Sequence, residues 1–421
     1  ITFQPTDPNT IFAGKDGGLY RSPNWWGNGQ SLKAGLAIAE IEDMAQDPGS
    51  ARWLMGGTQD NGTISYRGGA TWDHIADGDG GDCAVNSIDP NMIFHSYFYM
   101  GLDRSTDRGQ TWKWIPTASR DPNVYRQLFY PPVDGRGDTI AQAGESVFVS
   151  RDNGDHWAQF ALPNRIVASA MYVPTPDLVY IGTYNGRIFR ISWNGSAWNG
   201  PTELTSPRAN AWVSDLYVDA TNTNRIWATH TTIGGGRVFQ STDGGSSWTD
   251  RSAGLPSLPM NAVEVDPGNP NRVWVAADVG VYQSFNGGAS WSSFSNGLPN
   301  MLVVDLIYHR HARLLRAGTR NRSVWEIAVD GELQQPVCGV QWTGTLNAQQ
   351  TQRWFTFNWP ATWHIVWTVM STTAQSGAPQ VRWNVQVERA NAEFITYWSS
   401  VTNLTASPVT FEGRYSILSY Y

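Results

Sequence analysis

The stretch STDGGSSWTD at residues 241–250 decides how the rest of the chain is read. It has the polar, glycine-rich make-up of a surface turn, yet it ends on a tryptophan, and its relatives recur along the chain. In register with it stand STDRGQTW from Ser105, SRDNGDHW from Ser150, SFNGGASW from Ser284 and SYRGGATW from Ser65. Two weaker copies are SPNWWGNG from Ser22 and SWNGSAW from Ser192. The starting serines lie about 40–50 residues apart, the repeat length of a four-stranded propeller blade.

Each copy sits in a longer unit, clearest over residues 259–300. There NAVEVDPGNPN gives a strand and a turn, RVWVAAD a second strand and GVYQS a third, followed by the boxed turn and SWSSFS. A four-stranded sheet of this size cannot bury both faces alone, and radial packing of copies solves that problem. Within the turn, a Ser hydroxyl and an Asp carboxylate can bond backbone N–H groups, Gly supplies a positive φ, and the Trp packs beneath. The acid position holds Asp107, Asp152 and Asp243, but Arg67, Asn194 and Asn286 in other copies. Tryptophan persists at 72, 112, 157, 198, 248 and 291. Packing is therefore the shared requirement, and Ser105, Asp107, Trp112, Ser150, Asp152, Trp157, Ser241, Asp243, Trp248, Ser284 and Trp291 read as structural residues.

These boxes resemble the Asp-box, or BNR, repeat of sialidases, xyloglucan-hydrolysing endoglucanases, sortilin-type receptors and a photosystem assembly factor. The resemblance implies an all-β protein with an Asp-box β-propeller over residues 1–331. Eight units can be counted, the seven boxed copies and a last one, MLVVDLIYHRHARLLRAGTRNRSVWEI from Met301, in which the box is lost, so eight blades are expected, with seven as the alternative if the first and last units share one blade. Function does not follow from the fold, because its owners do unrelated things. Sialidases carry an Arg-Ile-Pro motif, and none of the Arg-Ile pairs here, at 165, 187, 190 and 225, precedes proline. Xyloglucan enzymes use two tandem propellers, whereas this chain has room for one ring.

Composition bounds the partners. A formal net charge of -7 and only 15 % charged residues offer no cationic footprint for nucleic acid. No apolar run is long enough to span a bilayer, and the first residue is Ile, which points to a processed, secreted product. Asn61, Asn194, Asn321 and Asn403 open glycosylation sequons. Cys83 and Cys338 are the two cysteines; one bridge between them and two separate small apolar side chains are both open readings. His95, His230, His309 and His311 lack metal-ligand spacing. No metal site or other cofactor is expected, a structural Ca²⁺ in an acidic loop being the exception left open.

A ligand is expected on the face opposite the boxed turns. The loops there supply Asp16, Gln59, Asp60, Asn61, Asp79, Asp82, Tyr97, Tyr99, Tyr184, Asn185, His230 and Arg320, a mixture of acids, amides and aromatics suited to polyhydroxylated ligands. First strands line a propeller's channel, and aligning IEDMAQD, VSDLYVD and VVDLIYH puts Asp43, Asp215 and Asp305 at one position, with Ala262 in their place in another unit. Asp43, Asp60, Asp215 and Asp305 are the catalytic candidates if the protein is an enzyme. The plainer role for the strand acids is to bond the backbone of the next blade.

Beyond residue 331 the texture changes. Residues 336–421 hold seven tryptophans and seven charged side chains, and VRWNVQVER alternates, with Val381, Trp383, Val385 and Val387 on one face and Arg382, Asn384, Gln386 and Glu388 on the other. Six strands predict a compact antiparallel sandwich. Its order and the segment TYWSSVTNLT look similar to the H-type lectin sandwich, which implies a lectin-like or self-associating, homo-oligomeric domain. The primary expectation is a secreted carbohydrate-recognition or adhesion protein without catalysis. A polysaccharide-degrading glycoside hydrolase is the first alternative, and a protein-interaction scaffold is the second.

Overall fold

The computed structural model describes all residues except 16, 17, 33–37, 70, 116, 330–336, 362, 390–393 and 421. Asp16, one of the expected ligand residues, therefore lies outside the described residues. The chain divides into two compact units, Ile1–Ile327 and Ala328–Tyr421. Helix is confined, among the described residues, to the single 3₁₀ turn Pro163–Arg165.

The first unit is a succession of antiparallel meanders. Among the described residues, seven four-stranded sheets, at residues 2–31, 41–76, 83–114, 133–161, 168–204, 213–250 and 260–293, are followed by a three-stranded one at 303–328. Burial runs across each sheet from inside to outside. The second strands Leu54–Thr58, Thr139–Ala143, Ile226–His230 and Val273–Ala277 are buried at every position. They are covered on both faces, which explains why VWVAA is apolar throughout and does not alternate. The fourth strands Lys113–Trp114, Thr249–Asp250 and Ser292–Ser293 are short and exposed, so these three sheets offer no long outer edge for pairing.

Two sets of bonds join neighbouring sheets. On the inner strands, Asp43 Oδ2 accepts from Cys83 N at 2.8 Å, Asp82 from Val133 N at 3.0 Å and Asp134 from Val173 N at 2.6 Å. Ser169 Oγ then donates to Val213 O at 2.7 Å, Asp215 accepts from Val263 N at 2.8 Å and Asn261 Nδ2 donates to Val303 O at 3.0 Å. Finally Asp305 Oδ2 accepts from Met44 N at 3.0 Å. These bonds form a cycle that starts in the sheet at 41–76 and returns to it from the sheet at 303–328. Among the described residues it passes through seven sheets and leaves out the one at 2–31.

At the outer edge the bonds run the other way. Trp112 Nε1 donates to Ile75 O at 2.6 Å, Trp248 Nε1 to Thr205 O at 2.7 Å and Trp291 Nε1 to Arg251 O at 2.7 Å, each reaching the end of the preceding sheet. Trp157 packs into the cluster that contains Ile115 of the preceding segment. The turns position these indoles. Ser241 Oγ accepts from Gly245 N at 2.8 Å, Asp243 Oδ1 accepts from Ser247 N at 2.9 Å, and Gly245 has φ 87°. Ser105 and Ser150 make the same bonds with Gly109 and Gly154, each at 2.8 Å. In the turn at Ser284, the Asn286 amide oxygen accepts from Ser290 N at 2.9 Å, so the turn does not need a charge at that position.

Among its described residues, the second unit contains two three-stranded antiparallel sheets. One is ordered Val337–Leu346, Val409–Tyr420, Trp363–Ser371, and the other Thr351–Pro360, Phe394–Asn403, Val381–Arg389. Side chains of both sheets meet in shared cores, one around Leu346, Val369, Val401 and Phe411 and one around Trp359, Trp367, Tyr397 and Ile417. Trp342 and Trp354 stack there, with centroids 5.2 Å apart at 4°. Cys83 and Cys338 are both free, the first buried and the second exposed.

Candidate functional site

In an antiparallel meander the first-to-second and third-to-fourth connections emerge at one end of the sheet. The second-to-third connections and the links between sheets emerge at the other. The repeated turns occupy the first end, so the expected ligand loops share the second.

On that face the link 77–82, DGDGGD, is wedged between the second and third sheets of the chain. Gly80 N donates to Thr58 O at 2.9 Å and Gly81 N to Ser96 O at 3.0 Å. A Cβ on Gly81 would lie 2.5 Å from both Ser96 Oγ and the Tyr130 ring, and one on Gly78 would lie 2.0 Å from the Tyr97 ring. The glycines are what let the rings close over the loop. Asp79 Oδ1 accepts from Asp60 N at 3.1 Å, which brings these two expected residues together.

Around the loop lies an aromatic group. Phe98 stands 4.5 Å from Tyr97, 5.5 Å from Tyr99 and 5.9 Å from Phe129, and Phe129 lies 4.9 Å from Tyr130. The Arg120 guanidinium sits over Phe98 at 4.0 Å, Tyr97 at 4.9 Å and Trp114 at 5.1 Å. The sequence flagged Tyr97 and Tyr99. It did not flag Phe98, Arg120, Phe129 or Tyr130, because the link 115–132 carries no repeat signal.

The Tyr130 hydroxyl is buried without a hydrogen-bond partner among the described residues. Burial pushes its pKa up, and the charges of Asp79, Glu42 and Asp60 add to the shift. Glu42 is also raised by burial, against the opposing pull of Arg320. Arg320 is engaged with Glu42, and lies 3.8 Å from Glu40, so this expected ligand residue is held in a local ion pair.

The carboxylates of the inner bond cycle raise one another by repulsion. Burial raises Asp82 to about 8, with Asp305, Glu42 and Asp134 adding repulsion and the Val133 N–H pulling the other way. Asp134 and Asp305 are raised to about 6, again chiefly by burial. Asp43 and Asp215 are raised well above the usual carboxylate range by burial; repulsion from Asp82 and Asp305 adds to Asp43, and from Asp305 to Asp215. The three aligned acids do share one place, since the first strands of their sheets all shift register just before Asp43, Asp215 and Asp305. Asp82 and Asp134 play the same linking part and were not aligned with them, because their strands, Cys83–Val85 and Val133–Arg136, are too short to show the pattern.

Other expected residues stand apart. Tyr184 is exposed, and Asn185 Oδ1 accepts from Thr183 Oγ1 at 2.8 Å in the adjacent hairpin. Gln59 O accepts from Asn61 Nδ2 at 3.0 Å. His230, expected at the ligand face, is instead fully buried beside Ala211 O and Phe239, and burial lowers its pKa to about 4. An interior imidazole held neutral does not meet a ligand on the loop face. Among the described residues no group of three or more His, Cys, Asp or Glu side chains is arranged to hold a metal ion, and no helix is long and apolar enough to cross a membrane.

No protein-family model matches the chain. A xyloglucanase of Hypocrea jecorina (strain QM6a) is 24 % identical over 285 residues, which are 65 % of this chain and 30 % of that enzyme. The GH74 xyloglucanase from Xanthomonas campestris superposes with a TM-score of 0.54 at 13 % identity, over 71 % of this chain and 53 % of that one. A YCF48 structure bound to D1 peptide gives 0.52 at 16 % identity, over 70 % and 94 %. The chain thus spans less than a third of the curated relative and about half of the GH74 structure. What the chain has in common with these structures is the fold: its first unit is a β-propeller.

Proposed function

We propose that the first unit is a seven-bladed Asp-box propeller, made by residues 41–328, that binds a polysaccharide across its loop face and hydrolyses it. The grouping of Asp82, Asp79, Asp60 and the unpartnered Tyr130 hydroxyl beside an aromatic platform carries this reading. Glycoside hydrolysis needs one carboxyl group that keeps its proton near neutral pH and a second that is ionised. Asp82, raised to about 8, fills the first role as proton donor. Its Oδ2 is committed to Val133 N, and Oδ1 is the oxygen assigned to the glycosidic bond. Asp79, three residues earlier on the same loop, is the partner carboxylate, with Asp60 beside it. Tyr97, Phe98, Tyr99 and Phe129 supply ring faces for sugar C–H groups.

The likeness to xyloglucanases supports hydrolysis over non-catalytic adhesion, the reverse of the order expected from sequence, and makes xyloglucan the first substrate to try. A polymer of this kind meets an exported protein, and the second unit is assigned as a β-sandwich that accompanies the propeller. The test is release of reducing ends from xyloglucan by the wild-type protein and by D82N and D79N. Loss of at least about a hundredfold in kcat for D82N is expected, with the thermal midpoint retained as a folding control. Binding of xyloglucan with no release by the wild type would return the protein to the recognition reading.

A further inference from the structure

The outer face of the second unit's sheet Thr351–Pro360, Phe394–Asn403, Val381–Arg389 has a chemistry that core packing does not explain. Register puts Phe355, Trp398 and Gln386 in one cross-strand row and Arg353, Ser400 and Asn384 in the next. Phe355 and Trp398 lie 5.0 Å apart at 31°, and Phe355 and Phe357 lie 6.1 Å apart at 31°. Phe355 and Phe357 are 57 % and 63 % exposed, far beyond what a ring buried for stability would show. The centre of the row is fixed in orientation. Trp398 Nε1 donates to Glu388 Oε2 at 2.7 Å, Arg353 lies over the indole at 5.4 Å, and Arg353 Nη2 donates to Gln386 Oε1 at 3.3 Å.

We propose that this face is a binding platform for a neutral, extended glycan chain, separate from the propeller site; it rests on the polysaccharide reading above. Phe357, along the strand from Phe355, and Trp398, across from it, make with Phe355 a cornered aromatic patch whose rings, tilted by 31°, receive the C–H faces of neighbouring sugar units. The hydroxyl, amide and guanidinium groups beside the rings match the sugar hydroxyls at the edge of the chain. A second copy of the chain fits less well. Mating this face to itself would bury Arg353, Arg382 and Glu388 from both copies, four positive charges against two negative ones removed from water. An uncharged polymer leaves those groups hydrated at the rim.

The platform is tested with the full chain by affinity gel electrophoresis in xyloglucan and in hydroxyethylcellulose. Wild type, F355A/W398A, W398F and the propeller-face variant Y97A/Y99A are compared. F355A/W398A is expected to lose about tenfold or more in affinity for at least one polymer, W398F to retain most of it, and all variants to keep the wild-type circular dichroism. Reducing-end release from a short soluble xyloglucan oligosaccharide is expected to fall in Y97A/Y99A and to stay unchanged in F355A/W398A. Absence of retardation of the wild type, or equal retardation of wild type and F355A/W398A, overturns the platform whatever the hydrolysis assay gives. So does a change from oligomer to monomer in F355A/W398A by sedimentation velocity, which would identify the face as a self-association surface. Absence of release with retardation intact refutes the hydrolase reading and leaves the platform standing.

Discussion

At the scale of single residues, acids with opposite electrostatic fates serve the same purpose. In the outer turns Asp107 and Asp243 are lowered to about 2, chiefly by bonds from Thr111 and Ser247. In the channel Asp82, Asp134 and Asp305 are raised. A raised acid favours the fold while it is protonated, so its contribution is full below its unfolded value near 4 and is lost as pH rises through its folded value. His95 and His230, each lowered to about 4, act in the other direction: they favour the fold above their unfolded value and lose that contribution as pH falls through about 4. The thermal midpoint is therefore expected to be highest near pH 4 and to decline between about pH 4 and 8 as these acids ionise, with the two histidines offsetting part of the decline below about pH 6. Scanning calorimetry across that range checks it. D305N, which keeps an acceptor for Met44 N but cannot ionise, should flatten part of the decline. D305A, which leaves that N–H unpaired, should destabilise at every pH by about 1–3 kcal/mol.

At the scale of elements, the meanders and their turns were legible because each copy repeats a local rule: a serine that receives a glycine N–H, a short polar side chain that closes the turn, and a tryptophan. The direction of the tryptophan bond was not legible, since its acceptors, Ile75 O, Thr205 O and Arg251 O, are backbone atoms about 40 residues upstream. The candidate site divides the same way. Asp60, Asp79, Asp82, Tyr97 and Tyr99 were visible as loop residues of sugar-binding type, whereas Tyr130 reaches them from a link without periodicity. His230 was misplaced because THTTIGGG reads as a polar loop, yet its histidine ends the buried strand Ile226–His230. The glycine-rich link gives a direct check of this geometry. G81A would press a methyl group against Ser96 Oγ and the Tyr130 ring. It is expected to displace the loop and cut kcat/KM on xyloglucan by about tenfold or more, with a smaller effect on the thermal midpoint.

At the scale of the whole molecule, the cycle of inner bonds runs through the sheets from 41–76 to 303–328 and does not require the sheet at 2–31. A chain lacking residues 1–31 is expected to remain folded, with a thermal midpoint within about 4 °C of the full chain. A collapse to an unfolded or aggregated product in circular dichroism and size-exclusion chromatography would mean that the first sheet is needed for closure. The cycle also has an order in time. Most of its bonds join stretches about 40–50 residues apart, but Asp305 and Met44 are separated by 261 positions. Bringing those ends together carries the largest loop-closure entropy of the set. During synthesis, each sheet can settle on its predecessor as it emerges, while the sheet at 41–76 waits with one flank uncovered for the last of them. A chain stalled before residue 305 would be a string of formed sheets with two apolar ends, and it is this species, more than the finished ring, that a cell would have to protect from aggregation.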